Sequence, residues 1–82
     1  MKIIITQKNI DQGHKGSCSH DPVALALKDA GLERPWVSPD HIAWRKDFRD
    51  YSVDTPPAIL AFLQLYDNGH VIRPFEFTLE EK

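Results

Sequence analysis

Apolar residues repeat along this chain with two periods. At Val23, Ala26, Leu27 and Ala30, and again at Ile59, Phe62, Leu63 and Tyr66, they fall at i, i+3, i+4 and i+7, which lines one face of a helix. The first helix is bounded on both sides. Asp21 is placed to cap its N-terminus, because a carboxylate can accept a bond from a free N–H of the first turn. Pro22 at the first helical position loses nothing by lacking an N–H. Gly31 supplies the left-handed residue that closes the other end. Ala24 and Leu25 lie off the main stripe, so helix 22–30 is expected to be buried on more than one side, with only Lys28 and Asp29 plainly facing solvent. The second helix is expected to open in the same way on Thr55 and Pro56 and to end at Asn68-Gly69.

The other apolar positions read as β structure. Three consecutive isoleucines make 2–6 a buried strand. Thr6 then caps a helical turn over Gln7–Gln12 that Gly13 closes, with Ile10 as its buried anchor. In 32–40, Pro35 and Pro39 surround Trp36 and Val37, the composition of an extended connection entering a short edge strand. In 41–53, Ile42 and Trp44 alternate with polar neighbours and strand formers follow Phe48. This segment is expected to be a hairpin turning near Arg45-Lys46-Asp47, with Trp44 and Phe48 on one core-facing side. Residues 71–79 alternate through Phe75, Phe77 and Leu79 as a last strand, held near an edge or bulge by Pro74. Glu80-Glu81-Lys82 is expected to be a solvated tail. The element order is βαββαβ. It predicts an α+β domain over 1–82, with two helices packed on one face of a small, mostly antiparallel sheet. The order is compatible with a ferredoxin-like split arrangement, in which first and last strands are neighbours.

Composition narrows the functional classes. Eighty-two residues make one domain, and a chain of this size buries only about 60–65% of its unfolded surface, leaving little stability to spare. A single cysteine rules out an intramolecular disulfide and fits a reducing compartment. The opening apolar run is too short for a signal peptide, and no segment approaches a membrane span, so a cytoplasmic location without membrane contact is expected. A formal charge of −2 argues against strong nonspecific affinity for nucleic acid.

The pattern Thr6…Ile10-Asp11-x-Gly13, then Gly16-x-Cys18-x-x-Asp21-Pro22-Val23-Ala24-Leu25-Ala26-Leu27, then Pro56/Pro57…Phe62…Tyr66-Asp67-x-Gly69 and Pro74-Phe75-x-Phe77 resembles a group of small uncharacterised bacterial and phage proteins. The likeness covers most of the chain, and its motifs are caps, turns and core positions. Some members of that group carry a second cysteine where this chain has Asp21, a departure that weakens a metal or redox role for Cys18. The resemblance implies a small, phage-encoded accessory protein that binds and inhibits a host component.

Two stretches carry candidate chemistry. The loop 14–20 holds His14, Lys15, Cys18 and His20 ahead of the first helix. His14-x-x-x-Cys18-x-His20, with Asp21 or His41 as a fourth ligand, does not match the paired spacing of structural zinc sites, so no metal or cofactor is expected. A nucleophilic role for Cys18 is opposed by Asp21, which already occupies the cap, and by the distance of Cys18 from the helix start. Gly13, Gly16, Ser17, Ser19 and Lys15 resemble an anion-binding loop in composition, but the Gly-Lys-Ser/Thr ending is absent and Asp21 would repel a phosphate. A small-ligand role for the loop stays open as an alternative. The second stretch, Trp44 to Tyr51, interleaves aromatic and basic residues as single-strand nucleic-acid binders do, yet three bases less two acids leave it only +1. The leading expectation is a non-enzymatic protein-binding surface built from Trp44, Arg45, Arg49 and Tyr51. The loop residues His14, Lys15, Cys18 and His20 would form a second contact. A homodimer through the first helix or an edge strand is a further expectation, and a nucleic-acid-binding regulator is the alternative.

Overall fold

A computed structural model describes residues 1–80; the rest of the expected solvated tail, 81–82, lies outside the described residues. In chain order the elements are β1 (Lys2–Ile5), α1 (Gln7–Gln12), α2 (Pro22–Asp29), β2 (Glu33–Val37), β3 (His41–Lys46), β4 (Arg49–Asp54), α3 (Pro57–Asp67) and β5 (Phe75–Thr78). The fold is α+β, as the apolar periods predict. Its element order differs from βαββαβ: Gln7–Gln12 is a helix of its own, making three among the described residues rather than two, Glu33–Val37 is a full strand, and the strands form two antiparallel sheets, β1–β5 and β2–β3–β4.

First and last strands are neighbours, with Ile3 opposite Phe77 and Ile5 opposite Phe75. The single sheet of a split arrangement does not form. β4 runs into Pro56 and Pro57, which have no amide donor, so a ladder cannot be carried across to β5. Val53, Asp54 and Pro56 instead face Thr78, Leu79 and Glu80 across a cleft of about 340 Å³.

One core joins both sheets to the helices. Ile3 and Ile5 of β1, Val23, Ala24, Ala26 and Leu27 of α2, Ile42 and Trp44 of β3, and Ile59, Phe62, Leu63 and Tyr66 of α3 are all buried in it. α2 packs against β1, β2 and α1, which is why both Val23 and the off-stripe Ala24 are fully covered. Phe62 meets Phe75 at a ring separation of 4.9 Å and so seats α3 on β5.

The helix ends follow the sequence closely, with one shift. α2 starts on the Asp21 cap, whose carboxylate accepts from the Ala24 amide at 2.7 Å. It ends with Gly31 at φ +89°, the Gly31 amide bonding to Lys28 O and the Leu32 amide to Leu27 O, the paired bonds of a Schellman closure. α3 ends alike through Gly69 and His70. Its start lies one residue later than expected: Pro56 stands at the cap, and the Thr55 hydroxyl donates to Ser38 O at 2.7 Å rather than to the helix. In α1, Asn9 rather than Ile10 is the buried residue. Asn9 closes a capping box with Thr6 and donates to Asp29 Oδ2 at 2.8 Å, pinning α1 to α2. The last strand is shorter than its apolar run: β5 begins at Phe75, after Pro74, and Val71 is 94% exposed.

Candidate functional site

The β3–β4 hairpin is in strict register, with Ile42 opposite Val53, Trp44 opposite Tyr51 and Lys46 opposite Arg49. These pairs leave a two-residue turn, Asp47-Phe48, rather than one at 45–47. Both turn residues are left-handed, at φ +52° and +65°. Such a turn matches the twist of the strands but suits Asn-Gly, because a Cβ in that region meets its own carbonyl. Phe48 is therefore held in strain, and its ring is 92% exposed. The expectation that Phe48 shares the core-facing side of Trp44 is overturned by its place in the turn.

The four hairpin residues expected to form one surface divide between two faces. Trp44 lies in the core at 2% exposure and stacks on Tyr51 at 5.7 Å with rings 10° from parallel. It supports the hairpin and is closed to a partner. Its indole Nε1 is buried with no hydrogen-bond partner among the described residues. Tyr51 is half-buried beside it, and Arg49 is exposed at the tip. Arg45 points to the opposite face, half-buried, with Nε 3.8 Å from Asp50.

The loop before α2 is tied down from several directions. The His14 amide donates to His20 O at 2.8 Å, the Val37 amide to Cys18 O at 2.8 Å, and the His20 amide to the Ser17 hydroxyl at 3.1 Å. The Gly16 amide reaches Asp67 Oδ1 at 3.4 Å. A Cβ built on Gly69 would lie 3.5 Å from Lys15 Nζ, which places that ammonium at the C-terminal end of α3, where the helix dipole favours a cation. Gly13 is required by close approach: a Cβ there would stand 2.7 Å from the Pro22 ring.

His14 and His20 do meet, edge to face at 6.2 Å, over a shallow depression shared with Ser17. His20 Nδ1 is also 2.8 Å from the Ser19 hydroxyl. Cys18 is half-buried and lines a different cleft of about 150 Å³, with Asp21, Leu63 and Asp67. The loop residues thus split into a histidine pair and a cysteine apart from it. No group of three His, Cys, Asp or Glu among the described residues is placed to hold a metal ion.

The strongest electrostatic perturbation in this region is at Asp21. Its carboxyl is 4% exposed and pushed up to about 7. Burial outweighs the Ala24 and Val23 amides that pull it down, and the Asp67 charge adds to the rise. Burial, then Asp21 and Asp67, likewise raise the Tyr66 phenol.

Two exposed rings had no place in the expected site: Phe48 at the hairpin turn and Trp36 on β2. The turn was readable in principle, because matching Ile42 with Val53 and Trp44 with Tyr51 centres the hairpin on Asp47-Phe48. Trp36 follows once 33–37 is taken as a strand, since Pro35 and Val37 then point inward and Trp36 outward. No helix among the described residues is long and apolar enough to cross a membrane. Compared with known proteins, the chain matches no family model, no curated protein and no solved structure.

Proposed function

We propose that the chain is a small, non-catalytic protein-binding module that engages its partner through the tip of the β3–β4 hairpin, with Phe48 as anchor. The observation that carries this reading is the 92% exposure of Phe48 on a left-handed backbone. Both features oppose folding: glycine would relax the turn, and a polar side chain would suit the solvent. An apolar pocket on a partner would recover the ring's burial, worth roughly 1.5–3 kcal/mol for a fully covered Phe. Arg49 stands exposed next to it, and aromatic and arginine side chains are the usual strong contributors at interfaces. The Trp44–Tyr51 stack behind the tip stiffens the hairpin, so little ordering cost is left for binding. The partner then offers an apolar pocket for the ring and an acceptor group opposite Arg49. Occlusion of that pocket accords with the host-directed inhibitory role that the resemblance implies.

The test is site-specific photocrosslinking from position 48, followed by binding of the identified partner to Phe48→Gly. Loss of binding by a variant that still folds is expected. Undiminished binding would sink the reading. A second reading, single-stranded nucleic acid, is favoured by one feature: an exposed ring flanked by Arg49 suits base stacking. Asp47 and Asp50 at the same tip work against it. Salt separates the two, because phosphate contacts make affinity fall steeply with ionic strength, whereas a ring in an apolar pocket responds weakly.

A further inference from the structure

The outer face of the β2–β3–β4 sheet carries no part of the core, and its side chains are set by the register. Residues directly opposite share a face. Three rows follow: His41–Asp54, Trp36–Ala43–Ser52 and Glu33–Arg45–Asp50. Rows lie about 7 Å apart and strands about 4.8 Å apart. The middle row has short side chains on β3 and β4, whereas both flanking rows have long or charged ones. Ala43 and Ser52 therefore floor a trough about 5–10 Å long that ends at the Trp36 ring. That ring is 48% exposed, although the strand has a buried alternative on its other side. A bulge between Glu33 and Trp36, with Arg34 at φ +49°, sets the ring's position along the edge.

The charge around the trough has one sign in excess. Glu33, Asp50 and Asp54 are exposed carboxylates. Arg45 is the only formal cation in these rows, its Nε already 3.8 Å from Asp50, and with the exposed Arg34 in the bulge the carboxylates still outnumber the cations three to two. An indole face attracts cations through its quadrupole, and a guanidinium can stack on it while forking to a carboxylate. An aliphatic stem suits the Ala43 methyl.

We infer that this outer face is a second docking surface, for an arginine-bearing segment of a protein partner. The arginine stem lies over Ala43 and Ser52 with its guanidinium stacked on the Trp36 ring, and Asp50 and Asp54, one row to either side of Ser52, flank the stem and supply the electrostatic attraction. The surface is distinct from the hairpin tip: it needs Trp36 and the acidic rows, not Phe48.

The test is an NMR titration of the full chain with a capped Gly-Arg-Gly-Arg-Gly peptide at low ionic strength, with a Gly-Glu-Gly-Glu-Gly peptide as control. Saturable shifts of the Trp36 indole N–H and the Ala43 and Ser52 amides are expected with the arginine peptide alone. Affinity should fall about tenfold in Trp36→Ala and in the double variant Asp50→Asn/Asp54→Asn, and stay unchanged in Phe48→Gly. The amide spectrum of each variant reports at once whether it is folded. Absence of shifts, equal shifts with the glutamate peptide, or equal binding by folded Trp36→Ala would overturn the inference. Self-association in sedimentation that Trp36→Ala abolishes would overturn it in favour of a second copy of the chain as occupant.

Discussion

The loop at 14–20 and the hairpin tip at 47–48 are opposites. The loop holds two histidines, two serines, a glycine and the only cysteine, the residue types from which sites are made. Yet its backbone is bonded to β2 through Val37 and to α3 through Asp67, and Gly13 is pressed against Pro22. Its special residues serve the fold. The tip has no motif at all, and there the chain keeps a strained, exposed phenylalanine. Chemical variety marks a candidate site poorly when the backbone already uses it. A residue that costs the fold stability without return is the stronger signal, because nothing in packing accounts for it.

Four measurements sharpen or break this contrast. The largest effect is expected where the loop's carboxylate meets the core. Asp21 has a folded pKa of about 7 against an ordinary value of 3.8. A raised folded pKa means that the native state holds the proton more tightly, so the contribution is fully present below about pH 4 and lost as pH rises through about 7. The loss amounts to at most about 4 kcal/mol at one pKa unit per 1.36 kcal/mol. Asp21→Asn keeps an acceptor for the Ala24 amide and removes the titration. Denaturant unfolding from pH 4 to 8 should therefore show a flatter stability profile than that of the parent chain. An identical slope in the two proteins would mean that Asp21 titrates normally.

Next in size is Gly13→Ala. The added methyl must displace the Pro22 ring, and overpacking of this kind costs about 1–3 kcal/mol. A lowered denaturation midpoint is expected, and an unchanged one would show that the loop is not pressed on α2. Phe48→Gly has the opposite sign. It relieves a left-handed residue and should raise stability by about 1 kcal/mol, read from the same midpoint. Destabilisation would mean that the ring packs on the chain, and the tip would cease to stand out from the loop. The smallest effect is expected for Asp67→Asn, within about 0.5 kcal/mol, because Asp67 is exposed and its bond from the Gly16 amide is long at 3.4 Å. Its readout is the Asp21 titration, which should move to lower pH once the neighbouring charge is gone.

Local chemistry settled much of the fold in advance. Thr6, Asp21, Gly31 and Gly69 act on backbone groups within a few residues of themselves, so the ends of α1 and α2 and the close of α3 are legible from sequence. The α2 and α3 apolar stripes are equally local, since a 3.6-residue period needs no partner to be seen. Segment 33–37 reads only as an extended connection entering a short edge strand, because Pro35 and the bulge break the alternation a full strand normally displays. The start of α3 moved because Thr55 found Ser38, a partner distant in sequence. Of the candidate site, Arg49 remained at the surface, whereas Trp44 went into the core and Arg45 to the other face.

What the sequence by itself determined is therefore the α+β class, the helices with most of their caps, and the adjacency that the apolar first and last strands make possible. Only the tertiary structure decided how many sheets form, where the hairpin turns, and which of its rings meet solvent. Caps and periods are interactions over one or two turns of chain. Register, sheet edges and exposure are relations between segments tens of residues apart, and a single strand's pattern fits two registers that differ only in which face turns inward.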